Sequence, residues 1–205
     1  MPTQKFTNLC EYKKRAILNA MREELLQTSY SNIKVSQIIK RARISRASFY
    51  IYFEGKEDIL FSLLYQMMRD FAVKLEETFR EQGGIFLNSM KKLLSWLLED
   101  DSGMLYGRIY NYVMSEEECK RVFIQVEKQF YREGQQDKSC RSCYEVMDMS
   151  QYPKLTEEPL LHAIAMGSLA LFKAAILQLE GSMELGLLKK MTEKQLQILD
   201  NGIRG

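Results

Sequence analysis

One stretch of this chain, residues 35–60, constrains its fold more than any other. The letters VSQIIKRARISRASFYIYFEGKEDIL contain two short helical patterns, which are separated by a tight turn and followed by the start of a longer helix. The apolar side of the first pattern is formed by Ile38, Ile39 and Ala42. Two short helices joined in this way predict a helix-turn-helix, a motif whose second helix reads the major groove of DNA.

The second helix of the pair is predicted to run from Arg46 to about Phe53. Ser45 is expected to be its N-cap, because a serine hydroxyl accepts a hydrogen bond from a backbone N–H two or three residues later. Phe49 and Phe53 lie four residues apart and therefore share the buried face. The side chains that point elsewhere are of types that contact DNA: Arg46, Ser48, Tyr50 and Tyr52.

Charge is distributed unevenly along the 205 residues. Residues 1–60 contain eleven Lys or Arg and six Asp or Glu, which gives +5, whereas the remainder contains eighteen and twenty-one, which gives −3. Between Lys34 and Lys56 there are six basic residues and one acidic residue. A run of charge is often only a solvated face, but here it coincides with the helix-turn-helix pattern. It therefore indicates a surface that binds phosphates.

The rest of the chain shows helical periodicity and no long β-branched run. We expect an all-α protein of about nine helices, in which Ser115 and Thr156 begin helices and Thr192 marks a possible restart. Residues 134–153 are expected to be a loop or a short helix. The other predicted helices cover residues 5–27, 56–80, 85–98, 104–114, 115–133, 157–180 and 183–200.

No run of 18 uncharged apolar residues occurs, and the first fifteen residues lack the apolar core of a secretory signal. We therefore expect a cytoplasmic protein without a membrane span.

Four groups of residues in the opening stretch are similar to those of a known family. They are Ile38, Ala42-x-Ile44-Ser45, Ser48-Phe49-Tyr50-x-Tyr52-Phe53 and Lys56-Glu57-x-x-Leu60. By these residues, positions 10–60 resemble the N-terminal DNA-binding domain of the TetR/AcrR family of bacterial transcriptional regulators. Two positions depart from the family pattern. Arg43 stands where a Gly is usual, at a turn that often needs a positive φ, and Ala47 replaces a common Gly.

The resemblance implies a three-helix DNA-binding domain, residues 1–56, and a larger helical effector-binding and dimerisation domain, residues 57–205. It also implies a homodimer formed through the last two helices, which binds a palindromic double-stranded DNA operator. A small apolar or aromatic effector would release such a repressor by tilting the helix at 56–80, and it acts only through its differential affinity for the two states.

The candidate DNA-binding residues are Lys34, Ser36, Ser45, Arg46, Ala47, Ser48, Tyr50, Tyr52 and Lys56. Arg46 is expected to read a guanine, because its planar fork suits two acceptors on that base. Ala47 would touch a thymine methyl or simply permit close approach, whereas Ser48, Tyr50 and Tyr52 would donate to phosphates. The phosphate contact of Lys56 is implied by the resemblance alone.

A pocket in the body is also implied by the resemblance. Met and aromatic side chains suit a pliable cavity, although at helical spacing they are more often plain core. The candidate pocket residues are Met67, Phe71, Trp96, Tyr106, Tyr110, His162 and Met166.

The four cysteines are too few for a disulfide framework. Cys140 and Cys143 have the spacing of a metal or redox pair, and a zinc site would require Cys119 and His162 to converge on them. Reduced thiols without a role are the favoured interpretation, so no metal or cofactor is expected. A thiol redox-sensing regulator that uses Cys140 and Cys143 remains an alternative.

An enzyme is not expected, because no GxSxG, HExxH, Walker or dinucleotide-binding pattern occurs. The alternative from another class is a helical protein-interaction module that does not bind DNA.

Overall fold

The computed structural model describes residues 2–204, which form eleven α-helices and no strand. The all-α class is therefore confirmed, with two more helices than the sequence predicted. The helices are α1 (Gln4–Thr7), α2 (Glu11–Leu25), α3 (Val35–Ala42), α4 (Arg46–Tyr52), α5 (Lys56–Glu81), α6 (Phe86–Glu99), α7 (Asp101–Ser115), α8 (Glu117–Arg132), α9 (Gln135–Tyr144), α10 (Glu157–Leu179) and α11 (Leu185–Arg204).

The helices form two compact units. The first contains the described residues up to Met68 together with Tyr112–Phe130, and the second contains Arg69–Asn111 and the residues from Tyr131 onward. This division differs from the boundary predicted at residues 56 and 57. The reason lies in contacts within the first unit, where the Tyr112 hydroxyl donates to the Thr28 carbonyl and the rings of Tyr65 and Phe130 lie 5.9 Å apart.

Helices α2, α3 and α4 form the predicted three-helix core of the first unit, with α5 beginning directly behind them. The residues at its centre are fully or almost fully buried, and they are Ile17, Met21, Leu25, Ile38, Phe49, Phe53, Ile59 and Leu60. The bounds of α3 and α4 match the predicted ones to within a residue, because short-range apolar spacing and a serine cap define them.

The first predicted helix is wrong in its outline, since residues 5–27 form two helices with a break at 8–10. Cys10 has an extended backbone (φ −63°, ψ 146°) and precedes α2. The short α1 is separate because the Thr3 side chain caps it and Phe6 is buried against α4. The apolar periodicity that predicted the helix begins only at Ile17, so it carried no information on the residues before it.

The turn between α3 and α4 keeps the left-handed conformation that usually calls for glycine. Arg43 has φ 53° and ψ 42°, and it is the single non-glycine residue with positive φ among residues 2–204. Its N–H donates to the Lys40 carbonyl and that of Ile44 to the Ile39 carbonyl. This pair of bonds is a Schellman motif, which ends α3 with an arginine in the strained position.

The second unit has its core among α6, α9, α10 and α11. Tyr152 is fully buried there, and its hydroxyl donates to a carboxylate oxygen of Asp200 and accepts from the backbone N–H of Phe86. Arg204 in turn donates to the other oxygen of Asp200 at 2.7 Å. The irregular 145–156 segment, which contains Tyr152, is thereby tied to the last helix.

Three local expectations are decided by the structure. Residues 135–144 form a regular helix, α9, which agrees with the short-helix alternative for part of residues 134–153. Ser115 does not cap α8, because it is the last residue of α7 and its hydroxyl donates to the Tyr112 carbonyl. Helix α11 does not restart at Thr192, whose hydroxyl donates to the Leu188 carbonyl within a continuous helix.

Helix α10 is long and apolar enough to cross a membrane by length and composition, and it is the one such helix in the described part of the chain. The mean hydropathy of its most apolar window is 1.9, and 39% of that window is buried. Its buried residues, including Leu160 and Leu171, lie in the core of the second unit. A core helix meets the same criterion, so this feature is weak evidence for a membrane segment.

Candidate functional site

Helix α4 is short, capped and amphipathic, and its outward face carries most of the residues predicted to contact DNA. Ser45 is the N-cap, as predicted, and its hydroxyl accepts from the Ser48 N–H at 3.0 Å. The predicted buried face is also confirmed, since Phe49 and Phe53 are completely buried. Arg46, Ala47 and Tyr50 are exposed, so this face is open to a partner.

One arginine of α4 is held by an aromatic side chain one turn later. The guanidinium carbon of Arg46 lies 5.5 Å from the centre of the Tyr50 ring, and its Nη2 is 3.5 Å from the Tyr50 hydroxyl. The Tyr50 ring packs edge-on against Phe49 with centroids 5.4 Å apart. The buried core therefore supports Tyr50, and Tyr50 supports Arg46.

Tyr52 and Ile51 are placed differently from the expectation. Tyr52 is half-buried, with its ring 6.3 Å from the rings of both Phe6 and Phe53, so part of its surface packs within the protein. Ile51, which was not among the predicted DNA-binding residues, is 44% exposed beside Tyr50. Its position in the helix does not share the buried face of Phe49 and Phe53, and this spacing could have identified it as an exposed apolar residue.

Five of the six basic residues between positions 34 and 56 are exposed, namely Lys34, Lys40, Arg41, Arg43 and Arg46. Ser36 is exposed on α3 as well, near Lys34. The backbone N–H of Lys34 donates to the Gln37 side chain at 2.9 Å, which caps α3. These exposed residues form one part of a surface suited to phosphates.

Arg41, by contrast, is used inside the unit to join α3 to α2. Its guanidinium donates to Glu24 at 2.8 Å, to Glu23 at 2.7 Å and to Gln27 at 2.9 Å. The hydrogen bonds with Glu24 and then Glu23 raise the pKa of Arg41. The charge of Arg41 is therefore already paired with carboxylates.

Lys56 also has an internal role, which corrects the simple picture of a phosphate-binding side chain. Its ammonium donates to the carbonyl of Tyr30 at 2.7 Å and to that of Ser31 at 3.3 Å, and it lies 4.3 Å from the centre of the Tyr30 ring. These contacts anchor the turn before α3 to the start of α5. A phosphate contact by Lys56 stays a prediction that would use its remaining donor.

In the second unit, four of the predicted pocket residues meet in one half-buried aromatic cluster. Phe71 lies 6.5 Å from Trp96, and Trp96 lies 5.4 Å from Tyr106, between ring centroids. Phe172, which the sequence analysis did not select, completes the cluster at 5.2 Å from Phe71 and 4.5 Å from Tyr110. Its place on α10 opposite α5 and α7 could not be inferred from helical spacing.

The other three predicted pocket residues are not part of this cluster. His162 and Met166 are exposed on α10, and Met166 is 58% exposed. Met67 is half-buried in the first unit.

The second unit also contains an apolar cleft of about 250 Å³ beside α7 and α10. Its lining consists of Leu97, Met104, Gly107, Ala175, Gln178 and Leu179, none of which was predicted. Gly107 lets α7 approach α10 closely, because a Cβ there would lie 3.1 Å from the Ala175 side chain. Small-molecule sites usually occupy about 300–1,000 Å³. The cleft is therefore somewhat smaller than that range.

The cysteine pair lies in a setting that suppresses thiol chemistry. Cys140 and Cys143 are buried free thiols, and burial raises the pKa of Cys140 to about 11. Burial also raises the pKa of Cys143 well above its ordinary value. Since the thiolate is the reactive form, both side chains are poor redox sensors. No group of three or more His, Cys, Asp or Glu within residues 2–204 is arranged to hold a metal ion.

Comparison with known proteins finds relatives of the helix-turn-helix part of the chain. Residues 17–63, from α2 into α5, match the family model described as bacterial regulatory proteins, tetR family. The fatty acid metabolism regulator protein of Bacillus subtilis (strain 168) is 31% identical over 91 residues. That match covers 44% of this chain and 44% of the relative, so the chain spans less than half of the relative's length.

Solved structures show the same fold along nearly the whole chain. A TetR-family transcriptional regulator from Syntrophomonas wolfei has a TM-score of 0.63 and 18% identity, with 94% of this chain and 97% of the other covered. FadR from Bacillus subtilis, solved in complex with stearoyl-CoA, has a TM-score of 0.57 and 21% identity, with 92% and 98% covered.

Residues 17–63 thus match the tetR family of bacterial regulatory proteins, and the chain as a whole is similar in fold to regulators of that family. The match confirms the resemblance noted in residues 10–60, and the proteins matched are transcriptional regulators and not enzymes.

Proposed function

We propose that this chain is a cytoplasmic transcriptional regulator that binds double-stranded DNA through α4. The observation that carries the proposal is a capped recognition helix whose outward face presents Arg46, Ala47 and Tyr50 over a fully buried Phe49. Arg46 reads a base edge in this assignment, and Ser48 and Tyr50 hold phosphates. The exposed cations of α3 and the following turn add the positive charge that binding to DNA phosphates needs.

The proposal is tested by binding to a fluorescent duplex taken from the region upstream of the protein's own gene. The control is a scrambled duplex of the same length and base composition. Tight binding to the first duplex, weaker binding to the second and a steep fall with salt support the proposal. Absence of salt-dependent binding would leave the helical protein-interaction module as the better description.

The functional form is proposed to be a homodimer built from α10 and α11. A single helix-turn-helix reads few bases, whereas a two-fold dimer places two recognition helices in successive major grooves about 34 Å apart. Seven large apolar side chains on α10 and α11 are exposed in the single chain, and such patches are typical of interfaces. They are Met166, Leu169, Leu179, Leu185, Leu187, Met191 and Ile198. A second copy of the same two helices would cover them.

The regulator is further proposed to be a repressor that an effector with a long apolar chain releases from a palindromic operator. Two features support an acyl-CoA thioester as this effector. One is the likeness in fold to FadR, which was solved with stearoyl-CoA. The other is the apolar and aromatic interior of the second unit, where the cluster around Phe71 and Phe172 is only half-buried. The cleft is too small for a long acyl chain unless side chains move.

The effector is tested by thermal shift with acyl-CoA esters of increasing chain length, with free coenzyme A as the control. We expect stabilisation that grows with chain length, because each buried CH₂ contributes about 0.8 kcal/mol. The same esters should lower operator affinity, since an effector acts only through its preference for one of two states. Unchanged operator affinity in the presence of a bound ester would contradict release by this class of effector.

A further inference from the structure

The residues at the start of the described chain contact the far end of the recognition helix. The backbone N–H of Thr3 donates to the Tyr52 carbonyl at 3.0 Å, and the Thr3 hydroxyl donates to the Ile51 carbonyl at 2.8 Å. Both carbonyls lie in the last turn of α4, where a helix has no partner of its own for them. Thr3 therefore satisfies two acceptors at the end of α4 from outside the helix.

Phe6 reinforces the same contact through packing. Its side chain is 6% exposed, and its ring centroid lies 4.6 Å from that of Phe53 and 6.3 Å from that of Tyr52. The Thr3 hydroxyl also accepts from the Phe6 N–H at 3.4 Å. One hydroxyl thus begins α1 and binds the end of α4.

Helix α4 has particular need of external support. It contains seven residues, and isolated helices shorter than about 12 residues are marginal in water. Its first turn is capped by Ser45, but its last turn has no glycine cap, because Phe53 is extended (φ −141°, ψ 144°). The next backbone N–H, that of Glu54, is taken by Asp58 of α5 at 2.9 Å. The last turn of α4 is therefore held between α1 and α5.

We infer that Thr3 is a positioning residue for DNA recognition, an inference that rests on the proposed DNA-binding function. Thr3 does not reach a base or a phosphate in this assignment. It fixes the last turn of α4, and that turn carries Tyr50, on which Arg46 is stacked. Losing the bond between Thr3 and Ile51 lets the helix fray from its C-terminal end. The face of α4 that carries Arg46 and Tyr50 is then ordered for a smaller fraction of the time.

The test is Thr3→Val, which keeps the size and the backbone N–H but removes the hydroxyl donor. Thr3→Ser restores the hydroxyl and serves as the rescue variant. Thr7→Val is the matched control, because the Thr7 hydroxyl donates at 3.3 Å to the Thr3 carbonyl within the same N-terminal segment. Each variant is measured for affinity to the upstream duplex and for amide hydrogen exchange along α4.

We expect Thr3→Val to bind the duplex about three- to tenfold more weakly, the range that loss of the hydrogen bond to Ile51 implies, while the longer bond from the Phe6 N–H is lost as well. The amides of Ile51, Tyr52 and Phe53 should exchange faster by a similar factor, whereas amides of the second unit should not change. Thr3→Ser and Thr7→Val should stay within about twofold of the wild type in both measurements, because both retain the hydrogen bond between Thr3 and Ile51.

Three results would overturn the inference: wild-type affinity in Thr3→Val, an equal loss in Thr7→Val, or weakened binding without faster exchange in α4. If the wild type itself binds no duplex, the proposed function fails instead. Hydrogen exchange, which needs no DNA, then decides the positioning role alone. Faster exchange confined to the end of α4 supports that role, and unchanged exchange rejects it.

Discussion

The guanidinium of Arg46 rests on the ring of Tyr50, with 5.5 Å between the guanidinium carbon and the ring centroid. Tyr50 in turn packs edge-on against the buried Phe49. A cation held over an aromatic face gains about 0.5–1 kcal/mol at an exposed site. The side chain proposed to read a base is thus oriented before DNA arrives, and less side-chain entropy is lost on binding.

The Arg46–Tyr50 contact predicts that Tyr50→Phe and Tyr50→Ala will differ in their effect on base preference. Arg46→Ala should cost about 1–3 kcal/mol on the preferred operator and relax the base preference at one position of each half-site. Tyr50→Phe keeps the ring, so it should weaken binding evenly across operator variants. Tyr50→Ala also removes the support of Arg46 and should relax the preference in part. Binding titrations on a set of single-base operator variants would show this, and identical profiles for the two tyrosine variants would contradict it.

The inward contacts of Arg41 and Lys56 predict the salt dependence of binding. Apart from Arg41, which is paired with Glu23 and Glu24, four exposed cations per protomer, eight in a dimer, give a slope of log K against log salt of about −7, since each phosphate contact contributes about −0.9. Lys40→Gln should reduce the slope by about 2 for the dimer, whereas Arg41→Gln should leave it nearly unchanged. Titrations between 50 and 200 mM salt, about the range where the effect is large, measure the slope. An equal reduction by both variants would show that Arg41 reaches the phosphates.

The positive φ of Arg43 predicts a stabilising substitution. Glycine adopts this conformation without the penalty of about 1–2 kcal/mol that a side chain incurs, although it loses more entropy on folding. We expect Arg43→Gly to raise the free energy of unfolding by about 0.5–1 kcal/mol, measured by urea denaturation. Arg43→Ala retains the strain and is the control. The same glycine variant should bind DNA more weakly if Arg43 contacts a phosphate, and equal stability of the two variants would exclude strain at this turn.

The exposed apolar face of α11 predicts the effect of a charge on assembly. Ile198 is 70% exposed, so Ile198→Lys should fold normally yet prevent the dimer, because the interface would have to bury an unpaired ammonium. Sedimentation should show a monomer, and operator binding should fall with it. Val73→Lys is the matched control, since Val73 is 53% exposed on α5, outside the last two helices. A dimer that survives Ile198→Lys would place the interface elsewhere.

The buried thiols predict slow alkylation in the native protein. With a pKa of about 11, only about three in ten thousand Cys140 side chains are thiolates at pH 7.5. Iodoacetamide should therefore modify the exposed Cys10 well before Cys140 or Cys143, as followed by peptide mass spectrometry. Denatured protein is the control, in which all four cysteines should react. A Cys143→Ser protein that loses its response to effector or oxidant would favour the redox-sensing alternative.

The helix-turn-helix was predictable because its cues are local. A serine at position 45 caps the helix that follows it, and Phe49 and Phe53 are spaced by one turn, so each cue involves residues within four positions of one another. The glycine-like conformation at Arg43 was also expected, from the resemblance and not from the arginine itself. Local cues of this kind act before any distant part of the chain is in contact.

Elsewhere the outcome depended on residues far apart in sequence. The contact of Thr3 with Ile51 joins positions 48 apart, and it holds α1 as a helix separate from α2. The three hydrogen bonds of Arg41 reach back to α2 and to Gln27, just after it. The aromatic cluster needed Phe172 beside Phe71, whereas the predicted His162 and Met166 lie exposed on the same helix as Phe172. Helical spacing shows that a helix has an apolar face, but it does not show which helix that face meets.

The sequence by itself determined the all-helical class, the bounds of α3 and α4 and the cap at Ser45. These follow from spacing, capping and local conformation, which are properties of neighbouring residues. Only the tertiary structure decided that Lys56 and Arg41 bind groups of their own unit, that Arg46 rests on Tyr50, and that Thr3 holds the end of the recognition helix. Those contacts depend on the packing angles between helices, and the packing angles are set by the fit of many side chains at once.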